Sequence, residues 1–201
     1  MKSQKIIQLV QIAMMSAVLC VLAPFTIPVP VSPVPFSLAT VAVYLAGALL
    51  GAKKGTACVI VYLLLGMMGI PVFSGVSGGV GVLFGPTGGY LVGYIPCVFV
   101  TGGLMEHRWS FWQKKKCFGV EEKAARPWWR VVWNAFAMAL GTILCYALGT
   151  VWFLFVMDGT YTVMQALLVC VVPYVAFDMI KILAVAAIAM SIRRILRRIE
   201  G

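Results

Sequence analysis

Charge is the scarcest thing in this sequence. Only 11% of the 201 residues are Asp, Glu, Lys or Arg, while 62% are apolar and the mean hydropathy is +1.00. A soluble domain carries about a quarter charged residues, so this chain has no polar skin with which to meet water, and a soluble globule is excluded. Histidine is nearly missing: His107 stands alone. The six cysteines, Cys20, Cys58, Cys97, Cys117, Cys145 and Cys170, are dispersed without a C-x-x-C pair. Neither a metal site nor a disulfide framework is expected from them; they read as small apolar fillers. No G-x-x-x-x-G-K-[ST] run occurs, and Gly79-Val-Gly81 followed by Gly85 falls one residue out of step with G-x-G-x-x-G, which argues against nucleotide binding. Lys2 and Lys5 precede an apolar run, but no A-x-A cleavage pattern follows, and Leu19 before Cys20 is a poor fit to a lipoprotein site. That predicts a retained first span.

Apolar stretches of helix length are what the chain has in abundance. Six runs stand out: Ile6–Ala23, Phe36–Ala52, Thr56–Ile70, Gly88–Met105, Val131–Met157 and Val163–Ile192. They predict an all-α integral membrane protein, a single domain of six transmembrane helices over residues 1–201. The third run is short and must borrow from its flanks; the last two exceed the bilayer and should tilt or project. Fifteen of the sixteen basic residues then fall on one side. Lys2 and Lys5 precede the first run, and Lys53 and Lys54 separate the second from the third. Arg108 to Arg130 hold seven more, and Arg193, Arg194, Arg197 and Arg198 follow the last. The opposite connections carry only Asp158. The positive-inside rule makes this an N-in, C-in topology, and Trp109, Trp112, Trp128, Trp129 and Trp133 supply an aromatic belt at the same interface. The formal net charge of +10 is thereby explained by orientation and contact with anionic lipid, not by nucleic acid.

Topology leaves one pair unexplained. Asp178 and Lys181 lie inside the last run, where each charge costs roughly 2.5–3.5 kcal/mol at the bilayer centre. Their i, i+3 spacing puts both on one helix face, which Tyr174 and Val185 extend. An acceptor beside a cation suits a ligand that has both N–H donors and a carboxylate. A proton or ion relay would need more charges along its path, and the other runs supply none in their interiors. Glu106 with His107 is the one adjacent acid–base pair, and in a basic connection without a second acid it does not make a catalytic site.

Two connections on the opposite side are unusual. Pro24 to Pro35 holds five of the ten prolines, and Pro71 to Gly89 holds seven glycines interleaved with Val, Leu and Phe. Proline enforces extended or turn geometry, and these apolar loops are expected to fold back as extracellular caps over the bundle mouth. Glycines there would let backbone amides approach a ligand. In the first run, Ala13-x-x-x-Ala17 allows another helix to come close.

Pro33-Val-Pro-Phe-Ser-Leu-Ala-Thr40, Leu45-Ala-Gly47, Gly69-Ile-Pro-Val72, Gly85-Pro-Thr-Gly-Gly-Tyr90 and Asp178-x-x-Lys181 together resemble the BioY family, the biotin-binding S components of energy-coupling factor (ECF) vitamin transporters. The resemblance runs in order along nearly the whole chain. It implies a capped biotin site and no enzymatic chemistry in this chain. It also implies partnership with a membrane scaffold subunit and two cytoplasmic ATPases, which hydrolyse ATP, so that the chain itself needs no cofactor. Some members are proposed to act without those partners. On this reading Asp178 and Lys181 contact biotin, Ser77 with the amides of Gly78 and Gly79 completes the polar shell, and Tyr174, Tyr90 and Phe36 form the apolar wall. Ala13 and Ala17 match the family's scaffold contact. The chain departs from many relatives in having Ala39 where they have Gln, and from some in having Ser77 where they have Asn.

Overall fold

The computed structural model describes residues 2–27, 35–117, 127–159 and 161–200, with side chains over 4–27, 35–107, 129, 131–159 and 161–192. Most of the proline-rich connection and much of the basic loop between the fourth and fifth runs lie outside the described residues, as do the side chains of Trp109, Trp112 and Trp128.

Helix α1 (Lys2–Leu22) is followed by a two-residue strand β1 (Thr26–Ile27), which pairs antiparallel with β2 (Phe36–Ser37) in the register Thr26 to Ser37 and Ile27 to Phe36. Then come α2 (Ala39–Met67), the short α3 (Val80–Phe84), α4 (Gly88–Cys117), α5 (Pro127–Val156), α6 (Val163–Cys170) and α7 (Val172–Glu200). Among the described residues, α1, α2, α4, α5 and α7 are long and apolar enough to cross a membrane.

Helix α2 consists of two helical arms joined at a kink. Gly51 has φ +80° and ψ −173°, outside the helical region, a conformation that glycine adopts without the Cβ penalty. A Cβ built on Gly55 would come within 3.1 Å of the Ala46 carbonyl oxygen. Nine residues of straight helix would separate those positions by about 13.5 Å, so the two arms of α2 fold back on each other. Glu106 of α4 closes the bend: its Oε2 accepts from the Ala52 N–H at 3.3 Å, at the start of the second arm, where helix amides lack partners.

The predicted sixth run is not one helix. It breaks at Val171 (φ −121°, ψ −54°) into α6 and α7. Pro173 explains the break, because it has no N–H to continue the ladder from α6 and fits only the first turn of a new helix. Thr162 begins α6 with a capping box, its hydroxyl accepting from the Gln165 N–H while Gln165 reaches back to the Thr162 N–H.

Helix α4 runs between α2 and α5, and small residues set the spacing on both sides. The built Cβ of Gly47 lies 3.2 Å from the Val98 carbonyl oxygen, and that of Gly141 lies 2.6 Å from Thr101 Oγ1, so neither position has room for a larger side chain. Tyr44, Tyr62, Phe73, Met138 and Phe153 fill the core, and Cys58, Cys97 and Cys145 are buried among them, as expected of apolar fillers. The glycine-rich connection folds onto the helix ends. Phe73 is fully buried edge-on to Tyr62, with ring centroids 5.5 Å apart, and Trp152 Nε1 donates to the Gly85 carbonyl at 3.1 Å.

Candidate functional site

The intramembrane pair is formed and buried. Asp178 and Lys181, one turn apart on α7, retain 6% and 8% of their exposure and stand 3.0 Å apart, Lys181 Nζ to Asp178 Oδ1. Lys181 Nζ also donates to the Ser37 carbonyl at 2.7 Å and to Thr40 Oγ1 at 2.9 Å. An ammonium has three donors, so each has a partner. The same nitrogen lies 3.8 Å from the centroid of the Phe36 ring, a cation–π contact, and Phe36 itself meets Phe177 edge-on at 5.1 Å. Asp178 is held from the other side by α5: the Tyr146 hydroxyl donates to Oδ2. Buried charges survive only when paired and hydrogen-bonded, and here each has both kinds of support.

Ser37 makes the pair part of the scaffold. Its hydroxyl donates to the Ala23 carbonyl at 3.1 Å and accepts from the Ala39 N–H at 3.0 Å. One residue thus ties the end of α1, the start of α2 and, through its own carbonyl, Lys181.

Beside the pair lies a cavity of about 700 Å³ bounded by α5, α6 and α7, within the usual size of small-molecule sites. Its wall is apolar except for Thr142, Tyr146, Thr150 and Asp178. The threonine hydroxyls are engaged from behind, Thr142 with Tyr44 at 2.6 Å and Thr150 with Tyr90 at 3.4 Å.

Among the sequence candidates, the fold brings Asp178, Lys181 and Phe36 together. Tyr174 is buried on α7, one turn before Asp178, and Tyr90 reaches the cavity wall through Thr150. Ser77, Gly78 and Gly79 belong to a turn within the glycine-rich connection. The Ser77 hydroxyl donates to the Ser74 carbonyl at 2.8 Å, and the Gly79 N–H donates to the Gly66 carbonyl at 2.7 Å. A side chain at Gly78 would overlap the Ile70 carbonyl. Ala13 and Ala17 lie exposed on the outer face of α1, while Ser16 turns inward to bond the Cys58 carbonyl at 3.2 Å.

The chain matches the BioY family model over residues 1–198. It belongs to the BioY family. A biotin transporter BioY of Thermotoga maritima is 38% identical over 170 residues, covering 84% of this chain and 86% of the relative. A biotin transporter BioY2 of Lactococcus lactis is 32% identical over 196 residues, covering 98% and 95%. A crystal structure described as the S-component for biotin from an ECF-type ABC transporter superposes with a TM-score of 0.76 at 26% identity, covering 96% of this chain and 94% of that one. These relatives are transporters, so BioY membership places the chain among membrane transport proteins and outside the enzymes.

Three groups around the charged pair carry no prediction from the sequence. Thr40 and the Ser37 carbonyl hold Lys181, and Tyr146 holds Asp178. Ser37 and Thr40 lie within the Pro33–Thr40 block, but a carbonyl carries no side-chain signal. Tyr146 had no local signal beyond being a tyrosine in an apolar run.

Proposed function

We propose that this chain is the biotin-binding S component of an ECF transporter and mediates biotin uptake as a multi-pass subunit of a bacterial cytoplasmic membrane. The observation that carries the reading is buried Asp178, ion-paired with Lys181 behind it, standing on the wall of an apolar cavity. Biotin offers two ureido N–H donors, a carbonyl, a thioether ring and a carboxylate. Asp178 accepts from the ureido N–H groups, and Lys181, giving up one of its present partners, donates to the ureido oxygen or the carboxylate. Phe36, Tyr90 and Tyr174 lie outside the residues that line that cavity and supply further apolar surface around it, and Ser77, with the backbone of Gly78 and Gly79, sits in the connection that caps the site.

The fold-back of α2 at Gly51 supports counting its arms as two spans. With α1, α4, α5 and α7 that makes six, both termini lie in the cytoplasm, and the proline- and glycine-rich connections lie outside. Exposed Ala13 and Ala17 then form the docking strip for a membrane scaffold subunit, which couples the chain to two ATPases. ATP hydrolysis belongs to those partners, and this chain carries no cofactor of its own.

Biotin binding to the detergent-purified chain, followed by quenching of its six tryptophans or by retention of radiolabelled biotin, tests the reading. Saturable binding that is lost in Asp178→Asn is expected; a folded, monodisperse chain that fails to bind biotin would overturn it.

A further inference from the structure

Of the four polar residues on the cavity wall, two have their hydroxyls occupied by tyrosines behind the wall. The other two, Tyr146 and Asp178, bond each other. Tyr146 has one O–H, and it points at Asp178 Oδ2; its oxygen therefore faces any ligand as an acceptor only. Asp178, ionised beside Lys181, is also acceptor-only, with each carboxylate oxygen holding one donor and keeping a second lone pair. Helix spacing places Thr142, Tyr146 and Thr150 at i, i+4 and i+8 on the single face of α5 that lines the cavity. Tyr146 is the member of that row aligned with Asp178.

Resting on the proposal that the ligand is biotin, we propose that Tyr146 is a positioning and specificity residue of this site. It fixes the orientation of the Asp178 carboxylate and, with it, presents a wall of acceptors matched to the two ureido N–H groups. A ligand end carrying only acceptors, such as a carboxylate, is rejected there. This assigns the ureido ring, not the valerate tail, to the α5–α7 end of the cavity.

The test compares biotin with biotin methylated on one ureido nitrogen, using the full-length chain in detergent. The unaltered chain is expected to prefer biotin. In Tyr146→Phe the affinity for biotin should fall roughly tenfold or more, as loss of a hydrogen bond to a charged group does, and the preference for biotin over the methylated analogue should shrink by a similar factor. Biotin amidated at its carboxylate should lose affinity in parallel with biotin itself. Tyr146→Leu, which removes the hydroxyl with different packing, is read by the same ratio. Thr56→Val, which removes a hydroxyl bonded to the Ala52 carbonyl within α2 and lies outside the cavity lining, should leave the ratio unchanged. A biotin affinity that drops while the preference stays constant would reduce Tyr146 to a packing role and overturn the assignment, as would an unchanged affinity. An unaltered chain that binds no biotin would instead overturn the proposed function, and the Tyr146 assignment with it.

Discussion

The ammonium nitrogen of Lys181 lies 2.7 Å from the main-chain oxygen of Ser37, so a charge on the last helix holds down the strand that precedes the second. Lys181→Met removes that bond together with those to Thr40 and Asp178, leaving a buried carboxylate that has lost its cation and keeps the bond from Tyr146. Breaking a buried pair this way costs about 3–5 kcal/mol. The expected result is a lower melting temperature in detergent and loss of biotin binding. Asp178→Asn combined with Lys181→Met should regain much of the stability but none of the binding, because no charge is then left unpaired. Equal melting temperatures for Lys181→Met and the unaltered chain would contradict the role given to this residue.

Gly66 has no room for a methyl group. A Cβ there would overlap the buried Phe73 ring of the glycine-rich connection. Gly66→Ala should therefore displace Phe73 from Tyr62 and cost about 1–3 kcal/mol, as overpacking does. Adding Phe73→Leu should restore part of that loss. Thermal unfolding of the single and double variants checks the coupling: additive effects would mean that the two residues do not share the space.

The bend in α2 depends on a left-handed glycine beside a carboxylate. At Gly51 (φ +80°) an added Cβ is strained by the backbone and would stand 2.8 Å from Glu106 Oε2. Gly51→Ala should cost about 1–3 kcal/mol from conformation alone. Glu106→Gln, which keeps an oxygen for the Ala52 N–H, should cost less than Glu106→Ala, which removes the cap. Melting curves of the three variants give the order; Glu106→Ala behaving like Glu106→Gln would show that the cap is immaterial.

Ala13 and Ala17 face outward, so enlarging them should spare the interior. Ala13→Trp and Ala17→Trp are expected to leave biotin affinity within about twofold of the unaltered chain, as exposed substitutions do. They should abolish co-purification with a scaffold subunit. A variant that still co-purifies would remove this strip from the docking surface.

The parts of the site that can be read in the sequence are those written in rare letters. Two charges within an apolar run announce themselves, and Lys53-Lys54 marks the reversal in α2 before any geometry is known. What escapes is carried by common residues or by backbone. Tyr146 lies 32 residues from Asp178 in sequence, and tyrosine in a span has many uses. Ser37 works through both its hydroxyl and its carbonyl, and only the first has a side-chain signature. Hydropathy runs unbroken across Val171, because it measures solvent preference and not hydrogen-bond continuity; Pro173 is the single mark of the break. The paired strands β1 and β2, two residues each, are too short for any periodicity to register.

Asp178 and Lys181 stand 3.0 Å apart as an ion pair, and their charges cancel. To the voltage across a membrane they are a small dipole, not a net charge. A bound carboxylate ligand would thus bring uncompensated charge to that depth. Carrying it inward across the full field of an energised cell, negative inside, opposes the voltage by about 2.3 kcal/mol per 100 mV. The pair gives the ligand's path no electrical help, and any accumulation against that voltage must draw its energy from elsewhere.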